Sequence, residues 1–147
     1  MEFRFEADMR EPVKQWLAER GFLVTVEMMV CGYADIVGGR FGARPASRRK
    51  PPLIECWVVE LKLTDVAGVI EQARHNLHQS HRSFCAMPAA RCDRMLPRTV
   101  DKFRAAGVGL LSVGDAIREI VPSSVGNGSK PHIANRLWRR TRELYTD

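Results

Sequence analysis

The chain has no apolar run near the roughly 20 residues that a bilayer-spanning helix needs, so no membrane protein of the helical kind is expected. It has no charge pattern of a secretory leader either. Glu2, Glu6 and Asp8 stand where such a leader would be basic, and a cytoplasmic location is the expectation. Cysteine is sparse: Cys31, Cys56, Cys85 and Cys92 are widely spaced with no CxxC among them, and three lie in or beside apolar runs. That favours buried reduced thiols over a disulfide frame or a zinc site. No internal repeat is visible, which excludes solenoids. Two segments lack acid altogether. Residues 40 to 50 carry Arg40, Arg44, Arg48, Arg49 and Lys50, residues 130 to 142 carry Lys130, Arg136, Arg139, Arg140 and Arg142, and each sums to +5. With a net charge of +6, the remaining body is left at −4. A near-neutral to acidic body with two basic appendages suits a polyanionic partner, and nucleic acid is the expectation.

What is present is enough for one domain: 147 residues can bury most of their apolar surface without staples. Phe5, Met9, Val13, Trp16 and Leu17 recur at helical spacing over residues 5 to 20, with Pro12 at a first turn or a kink and Gly21 as the stop. Residues 22 to 30 read as a strand with Glu27 as an oddity, residues 33 to 37 as a second ending at Gly38-Gly39, and residues 53 to 63 as a third, central one. Between the last two lies the basic loop of residues 40 to 52. A helix over 66 to 80 presents Val69, Ile70, Ala73 and Leu77 inward, capped by Thr64 or Asp65. A strand over 82 to 87, a helix over 92 to 106 interrupted near Pro97, and a hairpin of 108 to 113 with 116 to 121 follow. Residues 123 to 131 read as a Ser/Gly linker, and 133 to 145 as a basic helix with Leu137, Trp138 and Leu144 free to dock. Strands first and a crossover helix later imply an α/β fold, a mixed sheet flanked by helices.

The chemistry concentrates in Val58-Val59-Glu60-Leu61-Lys62 and, ahead of it, Ala34-Asp35-Ile36-Val37. Charged side chains in apolar, β-branched strands need compensation, since an unpaired buried charge costs several kcal/mol. A shared divalent cation supplies it. Alternation puts Glu60 and Lys62 on one side of the strand, and Asp35 on a neighbouring strand completes a pair of carboxylates beside a lysine. Magnesium takes one or two carboxylates and keeps several waters, so Asp35 and Glu60 with the Leu61 carbonyl form a sufficient set. Lys62 would then orient or deprotonate the attacking water and stabilise developing phosphate charge. The plain alternative is a structural ion pair on an edge strand. His75, His78 and His81 diverge too far around a helix to share a zinc ion. Trp57 faces away from Glu60 by parity and reads as core, as does Trp16.

Asp35, then Glu60-Leu61-Lys62 at a strand end, then a helix bearing Gln72, resembles the PD-(D/E)xK nuclease superfamily. Phe5-Glu6 through Pro12-Val-Lys-Gln-Trp-Leu, Arg20-Gly-Phe and Glu27 is similar to an uncharacterised branch of PD-(D/E)xK phosphodiesterases, over about residues 3 to 121. The resemblance implies a restriction-endonuclease-like αβββαβ core over residues 1 to 122, with residues 123 to 147 as linker and basic C-terminal helix. It implies an active site of Asp35, Glu60 and Lys62 with Mg2+ or Mn2+, a helix acid assisting the metal, and Gln72 orienting the site. Glu6 is favoured over Glu11 as that acid; the two lie about 140° apart around a helix, so only one can face the metal. Ala34 stands where proline is common in the superfamily, and 25 positions separate Asp35 from Glu60, more than in compact members.

Two functions of different class follow. One is a magnesium-dependent nuclease on DNA, with phosphate contacts from Arg40, Arg44, Arg48, Arg49, Lys50, Arg136, Arg139 and Arg140. The other is a catalytically silent nucleic-acid-binding or regulatory module on the same fold. An enzyme of nucleotide or RNA metabolism is a weaker third. A homodimer through the apolar hairpin near residues 108 to 121 is a further expectation.

Overall fold

The computed structural model describes residues 3–46 and 50–146. Arg48 and Arg49, two of the expected phosphate contacts, lie outside the described residues. A 3-10 turn, Glu6–Met9, leads into α1 (Arg10–Ala18), where Pro12 falls in the first turn and so needs no acceptor for an N–H. Then come β1 (Leu23–Met29), β2 (Tyr33–Phe41), β3 (Leu53–Leu61), α2 (Val66–Asn76), β4 (Arg82–Pro88), α3 (Ala89–Asp93), α4 (Pro97–Ala106), β5 (Gly109–Val113), β6 (Ile117–Val121) and α5 (Pro131–Thr141), with a last 3-10 turn at Arg142–Leu144.

The strands form one mixed sheet in chain order, β1 to β6. β1, β2 and β3 are an antiparallel meander, β3, β4 and β5 run parallel, and β6 turns back antiparallel. Parallel neighbours need a crossover connection, and α2 and the α3–α4 pair supply it. Helices cover both faces. Met9, Val13, Trp16 and Leu17 pack on Ile36, Val59, Leu61, Phe84 and Leu111 on one side. On the other, α2 and α4 cover Cys85, Met87 and Leu110, while Ile133 and Leu137 of α5 cover Met28, Val37, Cys56 and Val58. Alternation along β3 thus gives Val59 and Leu61 to the α1 face and Val58 and Glu60 to the α2 face. Trp57 belongs to an aromatic cluster with Trp16, Phe22 and Phe84, ring centroids 4.6 to 5.9 Å apart. All four cysteines are free, and Cys56, Cys85 and Cys92 are buried.

The element bounds depart from the sequence expectations in several places, some with a clear local cause. β2 runs on through Gly38-Gly39 to Phe41, because Gly39 lies under α5, where a Cβ would stand 2.7 Å from Leu137 Cδ2. α2 ends at Asn76 rather than residue 80. Leu77, His78 and Gln79 bond three residues back, and the Ser80 hydroxyl donates to the Asn76 carbonyl at 2.7 Å. The interruption expected near Pro97 divides two helices, since Leu96 before it is extended and Pro97 opens α4 at its first turn, and the first of the two begins at Ala89 rather than Cys92. Gly107, at φ +76°, ends α4 in the left-handed conformation as expected.

The Ser/Gly segment before α5 is a connection, as expected, but not a loose one. It is laid along residues 77 to 83 by a run of hydrogen bonds: Ser83 N–H to Ser123 Oγ, Gly126 N–H to His81 O, Asn127 N–H to Leu77 O, Gly128 N–H to Ser80 O, and Lys130 N–H to Gln79 Oε1. The approach is close. A Cβ at Gly126 would meet the Ser80 carbonyl oxygen at 2.3 Å and that of Leu77 at 2.6 Å. Gly126→Ala is therefore expected to cost about 1–3 kcal/mol and to open residues 123 to 130 to protease, measured by thermal melting and limited proteolysis.

Candidate active site

Asp35 and Glu60 are positioned by the pairing of β2 with β3. Ile36 lies opposite Val59 and Val37 opposite Val58, so one step further Asp35 faces Glu60 on the same side of the sheet. The Asp35 carboxylate turns toward β3, where Oδ2 accepts the Leu61 N–H at 2.8 Å. Glu60 is wholly buried. Its Oε1 accepts from Asn76 Nδ2 at 2.8 Å, while its Oε2 is buried with no donor. Burial, and after it the side-chain hydrogen bonding and charge of the adjoining Asp35, push the Glu60 carboxyl up to about 8 against smaller pulls from Asn76 and from the Asp35 main-chain N–H.

The other expected residues are distributed around this pair. Lys62 continues beside β4, its N–H donating to Ala86 O at 3.1 Å, and its Nζ lies 3.9 Å from Glu6 Oε1. Glu11 is instead on the exposed side of α1, 3.2 Å from Lys14. Of the two helix acids, Glu6 is the one at Lys62. Gln72 reaches from α2 to the start of β2, Nε2 donating to Tyr33 O at 3.2 Å. Asn76 had no signal in the sequence, whereas Glu27 stood out as an acid in an apolar strand. Asn76, one turn beyond Gln72 on the same helix face, is the group that holds Glu60. Glu27 takes φ +51° in edge strand β1, in line with Asp35, and there the ribbon rolls over: Val26 packs toward α1, Met28 toward α5.

Two adjoining carboxyls, one with an oxygen lacking any donor, fit a hard divalent cation of the Mg2+ or Mn2+ kind, which needs few protein ligands. Among the described residues no three His, Cys, Asp or Glu side chains converge, so the acids here are a pair. The histidines are engaged separately: His75 Nε2 lies 3.1 Å from Glu71, and His81 Nδ1 accepts the Cys56 N–H at 2.9 Å.

The basic residues divide by environment. Arg136 donates to Met29 O at 2.8 Å, and Arg140 to Val26 O at 2.9 Å and Glu27 O at 3.2 Å, so both clamp α5 to carbonyls of β1. Arg40 pairs with Glu55, and Lys50 donates to Asn135. Arg44 lies over Trp138 and Tyr145, its guanidinium 5.9 and 5.5 Å from the ring centroids. Trp138 meets Phe41 edge-on at 5.2 Å and anchors the helix, whereas Leu144 is exposed. Arg139 is exposed with no hydrogen bond or ion pair among the described residues. In the hairpin, Leu110, Leu111 and Val113 are buried in the protein's own core. No helix among the described residues is long and apolar enough to cross a membrane.

No protein-family model and no curated protein matches the chain. Among solved structures, the SPO1766 protein of unknown function from Silicibacter pomeroyi shares the fold, with a TM-score of 0.63 over 98% of this chain and 88% of that one, at 17% identity. The likeness concerns architecture alone.

The raised Glu60 carboxyl sets a pH dependence. The folded protein holds this proton up to about pH 8, whereas an ordinary carboxyl releases it near 4.5, so between those values the native state binds more protons and stability falls as pH rises. Glu60→Gln, which keeps an acceptor for Asn76, is expected to flatten that slope. Its melting temperature at pH 8 without metal should exceed the wild type's by several degrees, each kcal/mol being worth roughly 2–4 °C at this size; melts from pH 5 to 9 in chelator check it.

Proposed function

We propose that this protein is a magnesium-dependent nuclease that hydrolyses phosphodiesters of DNA, on a restriction-endonuclease-like core. The observation that carries the reading is Glu60: a carboxyl wholly buried opposite Asp35, with Oε2 facing no donor. An ionised carboxylate there would be costly, and a cation shared with Asp35 would offset its charge. The order of elements, a helix, three antiparallel strands, a crossover helix and a parallel strand, agrees with the αβββαβ core that the sequence resembles. Glu60 and Lys62 lie at the C-terminal end of β3, which runs parallel to β4, and Asp35 at the start of antiparallel β2 meets Glu60 there.

On this reading Asp35, Glu60 and the Leu61 carbonyl would hold the ion, and a bound ion would supply charge neutralisation and a more acidic water. Lys62 would orient or deprotonate the attacking water and stabilise the charge that builds on the phosphate. Glu6, 3.9 Å from Nζ, holds the lysine in place, and Gln72 fixes β2 to α2. Because Arg136 and Arg140 are engaged with β1, phosphate contact from α5 falls to Arg139. Full burial of Glu60 also favours a second reading, a binding module without cleavage. Metal titration separates the two, since a silent module shows no heat that depends on Asp35 and Glu60.

Purified protein with supercoiled plasmid and Mg2+ or Mn2+ is expected to nick it, and Lys62→Ala or Asp35→Asn to lower the rate at least 100-fold. Equal nicking by wild type and Lys62→Ala would assign the cutting to a contaminant. DNA affinity should fall with salt, and Arg139→Ala is expected to reduce the slope of log K against log salt by about one. Arg140→Ala should act mainly on the melting temperature, and filter-binding isotherms at several salt concentrations beside thermal melts distinguish them.

A further inference from the structure

Asn76 is 1% exposed, at the last position of α2. Asparagine is a poor helix former, and a buried amide is unfavourable unless its groups are paired. Here the pairing is specific, because Nδ2 donates to Glu60 Oε1 at 2.8 Å and leaves Oε2 without a partner. The donor is uncharged. A lysine or arginine in its place would cancel the carboxylate, whereas an amide can orient it and leave its charge for another ligand. One turn earlier Gln72 donates to Tyr33 O, so two amides four residues apart tie α2 to β2 and to β3, one on each strand that carries an acid. Ser80 Oγ donates to the Asn76 backbone carbonyl and helps fix the helix end.

We propose that Asn76 is a positioning residue that holds one oxygen of Glu60 so that the other, Oε2, is presented to a divalent cation shared with Asp35. The inference rests on the metal reading of Asp35 and Glu60 and adds a residue to it. Partners that orient a metal-ligating carboxylate in this way are worth roughly 10–100-fold in metal affinity.

The test is Mn2+ titration, followed by calorimetry and by the loss of the free-ion electron paramagnetic resonance signal, on wild type, Asn76→Ala, Asn76→Leu and Ser80→Ala. The leucine fills the same space without a donor and covers the case in which the alanine protein does not fold. Both Asn76 variants are expected to bind Mn2+ roughly 10–100-fold more weakly, and Ser80→Ala, which disturbs the same helix end without touching Glu60, as wild type does. Adding Asn76→Ala to Glu60→Gln should bring no further loss. Wild-type affinity in the Asn76 variants would overturn the role of Asn76 and leave the metal site standing. An equal loss in Ser80→Ala would overturn it too, because the effect would then be that of the helix end. Absence of Mn2+ binding by the wild type would overturn the metal reading and the role of Asn76 with it.

Discussion

A carboxyl with no solvent access, in the strand where a sheet changes from antiparallel to parallel, constrains everything around it. Glu60 on β3 has no access to water, and an ionised group there without partners would cost several kcal/mol. Two things offset this. The group stays neutral to about pH 8, and the crossover helix brings an amide to it. The second follows from topology. β3 and β4 are parallel, so the chain must return across one face of the sheet, and α2 covers the face to which Glu60 points. The antiparallel partner β2 supplies Asp35, and its register with β3 decides that the two acids meet.

The strands that carry the acids were legible in the sequence because Val58-Val59 and Ile36-Val37 leave few options for pairing, and alternation then fixes which residues share a face. The same holds for Trp16, Trp57 and Trp138, whose apolar neighbours pointed to packing. Asn76 was not legible. Its bond to Glu60 joins residues 16 positions apart through the angle at which α2 crosses the sheet, and no local pattern encodes that angle. The preference for Glu6 over Glu11 came from the resemblance, and the 3-10 turn at residues 6 to 9 alters the helix phase, so a regular-helix count alone could not have placed either acid. Helix bounds erred where side chains compete with the backbone ladder, as Ser80 does at the end of α2.

Charge patterning showed where the cations were and not what they did. The two acid-free segments read as equivalent appendages. Yet much of the second is engaged by the protein itself, with Arg136 and Arg140 bound to main-chain oxygens of β1. A composition cannot distinguish a guanidinium aimed at solvent from one aimed at a carbonyl.

β1 is an outer strand of the sheet, and its main-chain oxygens are covered by arginines from almost the last element of the chain. During synthesis the strand emerges early and its cover late. Between those moments the nascent protein presents an open edge able to recruit any extended peptide. Correct assembly therefore depends on chaperoning of that edge, or on the C-terminal helix reaching it before a foreign strand does.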